Sequence, residues 1–170
     1  MLIAEKLDLM AGLVRLIGEC DKEAVEVGLQ CLMELIGCDP SASSSTSLSA
    51  RKVRTDMARA GIVPTLTLVL ERDAEELLMP AGERAMRAME AMAECAEGRA
   101  AICAESKRCV EAVLGKMMKV RNEGKLAAVA LLWSLCCAGC GDRRAREAVA
   151  GSKGAMAKIL MVMQGIAHLW

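Results

Sequence analysis

The stretch RTDMARAGIVPTLTLVL, residues 54–70, decides the fold. It begins with an Arg-x-x-apolar turn at Arg54, passes through an Ala-Gly joint and ends in a run of aliphatic residues. The same turn recurs at Arg99-x-x-Ile102 and at Arg146-x-x-Val149, and each recurrence is again followed by aliphatic residues. The three arginines are separated by 45 and 47 residues. This spacing predicts one helical unit repeated along the chain.

A second pattern repeats in a different register. Small and apolar residues stand at i, i+3, i+4 and i+7, which places them on one face of a helix. The three sets are Gly28, Cys31, Leu32 and Leu35; Ala85, Ala88, Met89 and Met92; and Ala128, Leu131, Leu132 and Leu135. Each face needs a partner from the next unit. We therefore predict an all-α, right-handed solenoid of the armadillo or HEAT type, with about three full repeats and a partial fourth.

The composition agrees with an all-helical chain. Of the 170 residues 54% are hydrophobic, yet there is no Phe or Tyr and there are only two Trp. Strands draw on aromatic and β-branched residues, whereas Ala, Leu, Met, Glu, Lys and Arg form helices. The longest apolar run covers 15 residues, 126–140. A membrane-spanning helix needs about 20, so we expect no membrane span.

Charge and cysteine usage restrict the class of partner and the compartment. There are 22 basic and 22 acidic residues, and a nucleic-acid binder would carry a positive excess. We therefore expect no nucleic-acid partner. The nine cysteines are an odd number without a signal peptide. Reduced thiols that behave as small buried hydrophobic groups fit this pattern, for example at Cys31 and Cys95, and they predict a cytoplasmic protein, with the nucleus as a second location.

No motif for catalysis stands out. The one histidine is His168 in the terminal tail, and no Gly-x-Ser-x-Gly elbow occurs. Cys137 and Cys140 form a single Cys-x-x-Cys pair, whereas a structural zinc site usually needs two such pairs. We expect no catalytic residue, no cofactor and no metal. An enzyme that uses the cysteine cluster is the third and last hypothesis.

The organisation along the chain is predicted as a single domain, 1–170. Its repeat units cover residues 7–50, 51–98, 99–141 and 142–165, and an irregular tail covers 165–170. A serine-rich loop at 41–49 lengthens the first unit. This loop is interpreted as a tolerated surface insertion, with phosphorylation as the alternative. The long helix of the second unit is expected to run from about Pro80 to Glu97.

Three stretches suggest a family. Residues 54–70, Glu97 to Ile102 after Ala93-Glu-Cys-Ala, and Lys158 to Gln164 together resemble the C-terminal armadillo region of plant U-box E3 ubiquitin ligases, over about residues 7–164. In that family the U-box recruits the E2 enzyme and the armadillo repeats hold a substrate or a regulator. The resemblance thus implies a non-catalytic protein-binding region, with E2 bound only through a U-box that this sequence does not match. The alternative is an armadillo or HEAT-like scaffold unrelated to ubiquitin.

The candidate binding residues lie on the long helices of units two and three. We predict that a protein partner lies along their concave groove and touches Arg84, Arg87, Glu94, Lys125 and Trp133. For Trp133 the alternative is packing in the core, and for the charges it is a solubilising role alone. Reversal of Arg84 and Arg87 to Glu is expected to abolish binding and to leave the thermal midpoint nearly unchanged. By the same register the groove includes positions 34, 91 and 134.

Overall fold

The computed structural model describes residues 2–37, 47–72, 79–137 and 143–167. Ten helices and no strand occur in these ranges, which confirms the all-α prediction. The helices are α1 Leu2–Gly18, α2 Lys22–Leu35, α3 Ser47–Arg59, α4 Ile62–Glu71, α5 Met79–Ala93, α6 Ala96–Ala104, α7 Ser106–Lys116, α8 Asn122–Cys137, α9 Arg143–Gly151 and α10 Ala155–Ala167. Residues 41–46, Cys140 and 168–170 lie outside the described residues, so the structure tests no prediction that concerns them.

Helices that stand three apart in the chain stack on one another. α1, α4 and α7 form one row, α2, α5 and α8 form a second, and α3 packs on α6. The last two helices, α9 and α10, close the stack against α7 and α8. This arrangement is that of a helical solenoid. The number of complete repeats and the handedness stay predictions.

The core is built from aliphatic side chains and methionine. The face predicted for α5 is buried, with Met89 and Met92 fully enclosed, and the matching face of α8 is buried as well. For α2 the prediction is wrong at Cys31 and Leu35, which are exposed. Cys31 is therefore not the buried thiol that its place in the pattern predicts.

Gly28 lets the first two helices approach closely. A Cβ atom at this position would lie 2.8 Å from the side chain of Ile17 on α1, which is closer than packed carbon atoms come. The small residue at the start of the α2 pattern therefore serves the packing that the sequence predicts for it.

The joint between α3 and α4 follows the sequence closely. α3 ends at Arg59, and Gly61 precedes α4 with φ of 86° in the left-handed region. Glycine adopts this conformation without the steric cost that a Cβ atom brings. Pro64 then lies in the first turn of α4, where its missing N–H leaves no intrahelical hydrogen bond unmade.

The joint between α5 and α6 differs from the prediction. α5 ends at Ala93, four residues before the expected end at Glu97, and α6 begins at Ala96. The Cys95 sulfur accepts a hydrogen bond from the Gly98 N–H at 3.3 Å and so caps α6. A Cβ atom at Gly98 would stand 2.1 Å from the Met92 carbonyl oxygen. Glycine is therefore needed where the chain turns back on itself.

Two predicted irregular segments are shorter than expected. α10 continues to Ala167, into the predicted irregular tail 165–170, and α3 already begins at Ser47, inside the predicted serine-rich loop. The sequence 155–167 holds helix-forming Ala, Met and Leu without a proline, so nothing local ends the helix earlier.

In the row of α1, α4 and α7, cationic side chains bind the carbonyl oxygens at the end of the preceding helix, and a lysine of α10 does the same for α7. Arg72, after α4, donates to the carbonyl oxygen of Gly18 at the end of α1, at 2.8 Å. Lys116, which is buried at the end of α7, donates to the carbonyl oxygen of Arg72 at 2.5 Å, and Lys158 donates to that of Leu114 at 3.1 Å. The last carbonyl groups of a helix lack intrahelical partners and carry partial negative charge. Each helix end in this row is thus capped by a cation from the next helix.

None of the described helices combines the length and the apolar character that crossing a bilayer demands.

Candidate protein-binding surface

The predicted binding residues concern the outward faces of α2, α5 and α8, which we call the ladder surface. These three helices lie side by side, because α2 contacts α5 and α5 contacts α8. One face of each helix is buried in the core, and the opposite face remains on the outside. The ladder surface therefore runs continuously across the stack.

Arg84 joins α5 to α2. Its guanidinium group forms an ion pair with the carboxylate of Glu26, and the two side chains are only 31% and 19% exposed. A half-buried charge that lost its partner would have to remain desolvated without compensation. Arg84 therefore positions the two helices relative to each other as well as lining the surface.

Arg87 and Glu90 continue the charged row on α5. Arg87 reaches Glu123 at the start of α8, with 3.3 Å between guanidinium nitrogen and carboxylate oxygen. Burial raises the pKa of the Glu90 carboxyl group, the neighbouring Glu94 raises it further, and Arg87 opposes both effects. The middle helix is thus connected to both neighbours by ion pairs, and Glu90 is held in a partly dry position.

Glu94 belongs to a junction of helices. Its carboxylate pairs with Arg54 of α3. Arg54 also donates to the carbonyl oxygen of Ile36 at the end of α2, through Nε at 3.0 Å and a terminal nitrogen at 2.9 Å. One guanidinium group therefore ties the ends of α2 and α5 to α3, and it holds Glu94 in place.

Trp133 is the most exposed large hydrophobic side chain of the described residues. It is 68% accessible to solvent, so packing in the core, the alternative weighed for it, is wrong. Lys125, one turn from the start of the same helix, is half-buried. Of the five predicted residues, the structure therefore places three in inter-helix ion pairs and two on α8.

Sequence reasoning missed the neighbours of Trp133. Leu126, Ala130, Trp133 and Cys137 are all exposed and follow the spacing i, i+4, i+7 and i+11. They form one apolar line along α8, which we call the α8 strip. The signal was present in the sequence, because α8 is apolar on nearly every side and only one of those sides can face the core.

The positions aligned with the groove have three different environments. Glu34 of α2 is exposed, Ser134 of α8 is half-buried, and Ala91 of α5 is buried. The expectation for Ala91 is therefore wrong. α5 is covered by neighbours on both sides, so more of its circumference belongs to the core than for a helix at the edge.

Two of the described thiols, Cys109 and Cys136, are less acidic than a free cysteine. Cys109 is buried with its sulfur 3.3 Å from the hydroxyl oxygen of Thr67, and burial raises the pKa of this thiol. Burial likewise raises the pKa of Cys136. A nucleophilic cysteine needs the thiolate and hence a lowered pKa. Within the described ranges, no three His, Cys, Asp or Glu side chains stand close enough to hold a metal ion.

Comparison with known proteins agrees with this architecture. The family described as the plant U-box protein ARM repeat region matches residues 1–166. U-box domain-containing protein 28 of Arabidopsis thaliana is 28% identical over 165 residues, which is 96% of this chain and 36% of that protein. U-box domain-containing protein 29 of the same plant is 36% identical over 83 residues, 48% of this chain and 20% of that protein.

The chain thus spans about a third of the length of the first of these relatives. No solved structure matches it. Since the match to the family covers nearly the whole chain, and since the helices stack as such repeats require, the chain belongs to the armadillo-repeat region of plant U-box proteins.

Proposed function

We propose that the ladder surface holds a protein partner, a substrate or regulator of a U-box ubiquitin ligase, and that this chain takes no chemical part in ubiquitin transfer. The observation that carries the proposal is the α8 strip with Trp133 at its centre. Tryptophan is among the residues that most often dominate binding energy at interfaces. A chain with only two tryptophans and no other aromatic residue exposes one of them where its helices form a continuous surface.

The chemistry of the partner follows from the surface. α2 presents the exposed carboxylates of Glu23 and Glu34 against one lysine, Lys22, whereas Glu26 is paired with Arg84 of α5, and Arg87 is paired with Glu123. A segment with basic residues over α2 and an apolar anchor over the α8 strip complements this distribution. Because the arginines are held by their partners, they offer a preformed surface, which reduces the entropy lost on binding.

The direct test is a selection of peptides on the chain. Peptides from a display library are selected against the 170-residue protein, and their affinity is measured through the fluorescence of Trp133 in a Trp170→Phe background. Binding over Trp133 should shift its emission to shorter wavelength. Replacement of a hot-spot residue costs about 2 kcal/mol or more, a loss of about thirtyfold in affinity, so Trp133→Ala, followed by titration calorimetry, should lose that much.

A matched control distinguishes specific binding at the α8 strip from nonspecific binding to any exposed apolar side chain. Met118, in the turn after α7, is also exposed and apolar but lies off the ladder surface. Met118→Ala should bind selected peptides like the parent. If Met118→Ala weakens binding as much as Trp133→Ala does, or if selected peptides bind equally well to both variants and the parent, the proposed surface is wrong.

The role in ubiquitin transfer needs a separate assay. A selected peptide is fused to a reporter protein, and the chain is fused to an active U-box in a purified E1–E2 reaction. Ubiquitin should be attached to the reporter with the parent chain and not with Trp133→Ala. A reporter that is bound but not modified would favour the alternative of a scaffold unrelated to ubiquitin. A cytoplasmic and nuclear location is proposed along with this function, and a fluorescent fusion tests it.

A further inference from the structure

Glu90 is a half-buried carboxylate in the middle of the ladder surface. It lies on α5, which has α2 as a neighbour on one side and α8 on the other. Among the described residues its carboxylate forms no hydrogen bond and no ion pair. A charged group that is partly removed from water without such a partner lowers the stability of the folded state.

The charges around Glu90 do not compensate it. Glu94, one turn later on the same face, is also negative and is paired with Arg54 of α3. Arg87, one turn before, is paired with Glu123 of α8, with 3.3 Å between nitrogen and oxygen. Both arginines thus have other carboxylates as ion-pair partners, and within the described helices Glu90 has no cation of its own.

A residue that lowers stability on a binding surface is typical of a functional contact. Proteins depart from favourable packing and charge mostly where function requires it, and the ligand then supplies the missing interaction. An uncharged glutamine of the same shape would avoid the cost of a half-buried charge at position 90. What Glu90 lacks is a positive charge, and a protein segment bound on the ladder surface can bring one.

Glu90 and Trp133 occupy equivalent positions on neighbouring helices. They are 43 residues apart, the same displacement that relates Ala88 to Leu131 on the buried faces. The axes of packed helices lie about 8–10 Å apart, so a segment that crosses the ladder surface passes from one residue to the other within about 10 Å. About three extended residues span this distance, and two suffice when a long basic side chain reaches part of the way.

We propose that the segment whose apolar anchor covers Trp133 carries a lysine or arginine that pairs with Glu90. This inference rests on the function proposed above and adds a second contact to it. α8 selects an apolar group, and α5 selects a positive charge two or three residues away. The new pair is a charge-assisted hydrogen bond, which offsets the cost that Glu90 has in the free protein. Glu90 is thus a specificity-determining residue, because a segment with a neutral or acidic side chain at this position leaves the carboxylate without a partner.

The first test compares Glu90→Gln with the parent. Peptides are selected from a display library on the 170-residue protein, and titration calorimetry measures their affinity. The selected peptides should share a lysine or arginine two or three residues from an apolar anchor. Glu90→Gln should weaken their binding by at least about tenfold, although its thermal midpoint does not fall. The control is Glu111→Gln, at an exposed glutamate of α7 off the ladder surface, which should bind like the parent.

The decisive test is a double-mutant cycle between the protein and one selected peptide. A second peptide is made in which the basic residue is replaced by glutamine. On the parent protein this replacement should weaken binding by about tenfold. On Glu90→Gln it should have almost no further effect, because the pair is already broken. Coupling of about tenfold between the two replacements is therefore the expected result.

Trp133→Ala distinguishes this inference from the function on which it rests. If Trp133→Ala weakens binding but the two replacements in the cycle act independently, the ladder surface binds the peptide and the pairing with Glu90 is wrong. Selected peptides without a basic residue near the anchor overturn the pairing as well. If Trp133→Ala binds both peptides like the parent, the proposed function is wrong, and the inference fails with it.

Discussion

α5 and α8 occupy equivalent places in the stack, yet only their buried faces have similar residues. Displaced by 43 residues, their buried faces match: Ala85, Ala88, Met89 and Met92 against Ala128, Leu131, Leu132 and Leu135. Their outer faces differ in kind. The outer residues of α5 are Glu83, Arg87 and Glu90, with Glu94 directly after the helix, and the residues at the same positions of α8 are Leu126, Ala130, Trp133 and Cys137.

The difference shows which face of a repeat helix fixes the fold. The buried residues must match the next helix in size, so the small-small-apolar pattern returns with little change. The outer residues contact only solvent, ion-pair partners or a bound protein, and are free to differ between repeats. Variation between the outer faces of equivalent helices is therefore where the binding specificity of such a chain should be sought.

The largest expected effect concerns the buried face. Leu132→Ala, at a buried position of α8, should lower the free energy of unfolding by about 2–5 kcal/mol, because it leaves a cavity that its neighbours fill only in part. Leu126→Ala, on the outer face of the same helix, should cost less than about 1 kcal/mol. Urea unfolding measures both, and equal midpoints would show that the two faces of α8 are not distinct.

The next effect concerns the ion pair between α5 and α2. Arg84→Glu places two carboxylates together in a half-buried position and should destabilise the fold by about 1–3 kcal/mol. This replaces the expectation from sequence that reversing Arg84 and Arg87 leaves the thermal midpoint nearly unchanged. Adding Glu26→Arg should restore most of the loss. Arg143→Glu, within the exposed pair of α9, should change stability by less than about 0.5 kcal/mol.

Replacement of Glu90 is expected to have a smaller effect on stability, and this replacement should stabilise the fold. Its raised pKa means that the folded state prefers the protonated form, so the associated stability is present below the ordinary pKa and is lost as the pH rises through the raised value. Glu90→Gln should therefore raise the thermal midpoint at neutral pH, by an amount worth less than about 1 kcal/mol.

The gain from Glu90→Gln should shrink as the pH falls through the raised pKa of Glu90 and be gone at about pH 4, below the ordinary pKa of a glutamate side chain. Glu111→Gln, at an exposed position of α7, serves as the control and should leave the midpoint unchanged throughout. A gain at Glu90 that is independent of pH would contradict burial of the carboxyl group as its cause.

The smallest effect on stability is expected at Trp133. Because it is exposed, Trp133→Ala should change the free energy of unfolding by less than about 0.5 kcal/mol, although it should abolish most binding of a selected peptide. Thermal unfolding followed by circular dichroism measures the first quantity. A loss comparable with that of Leu132→Ala would show that the two side chains share one environment and would remove the distinction between the faces.

The repeat pattern predicts most of the fold, because burial acts on periodic residues that the sequence shows directly. The buried faces of α5 and α8 and the turn at Gly61 follow from it. The break between α5 and α6 does not follow, since it depends on the Cys95 sulfur acting as a cap, which is unusual for cysteine.

The candidate surface was less accessible to sequence reasoning. Register places Arg84 and Arg87 on the correct helix, but their partners Glu26 and Glu123 are 58 and 36 residues away. Such pairs depend on how whole helices are offset, which local periodicity does not contain. The exposure of Cys31 also depends on which sides of α2 its neighbours α1 and α5 cover.

The cations that cap successive helix ends give the stack a direction. Lys158 of α10 holds the end of α7, Lys116 of α7 holds the end of α4, and Arg72 holds the end of α1. When α10 detaches, α7 loses its cap, whereas loss of α1 removes no cap from any later helix in this row. Fraying should therefore spread from the carboxyl end, and amide hydrogen exchange should be fastest in α10, slower in α7 and slowest in α4.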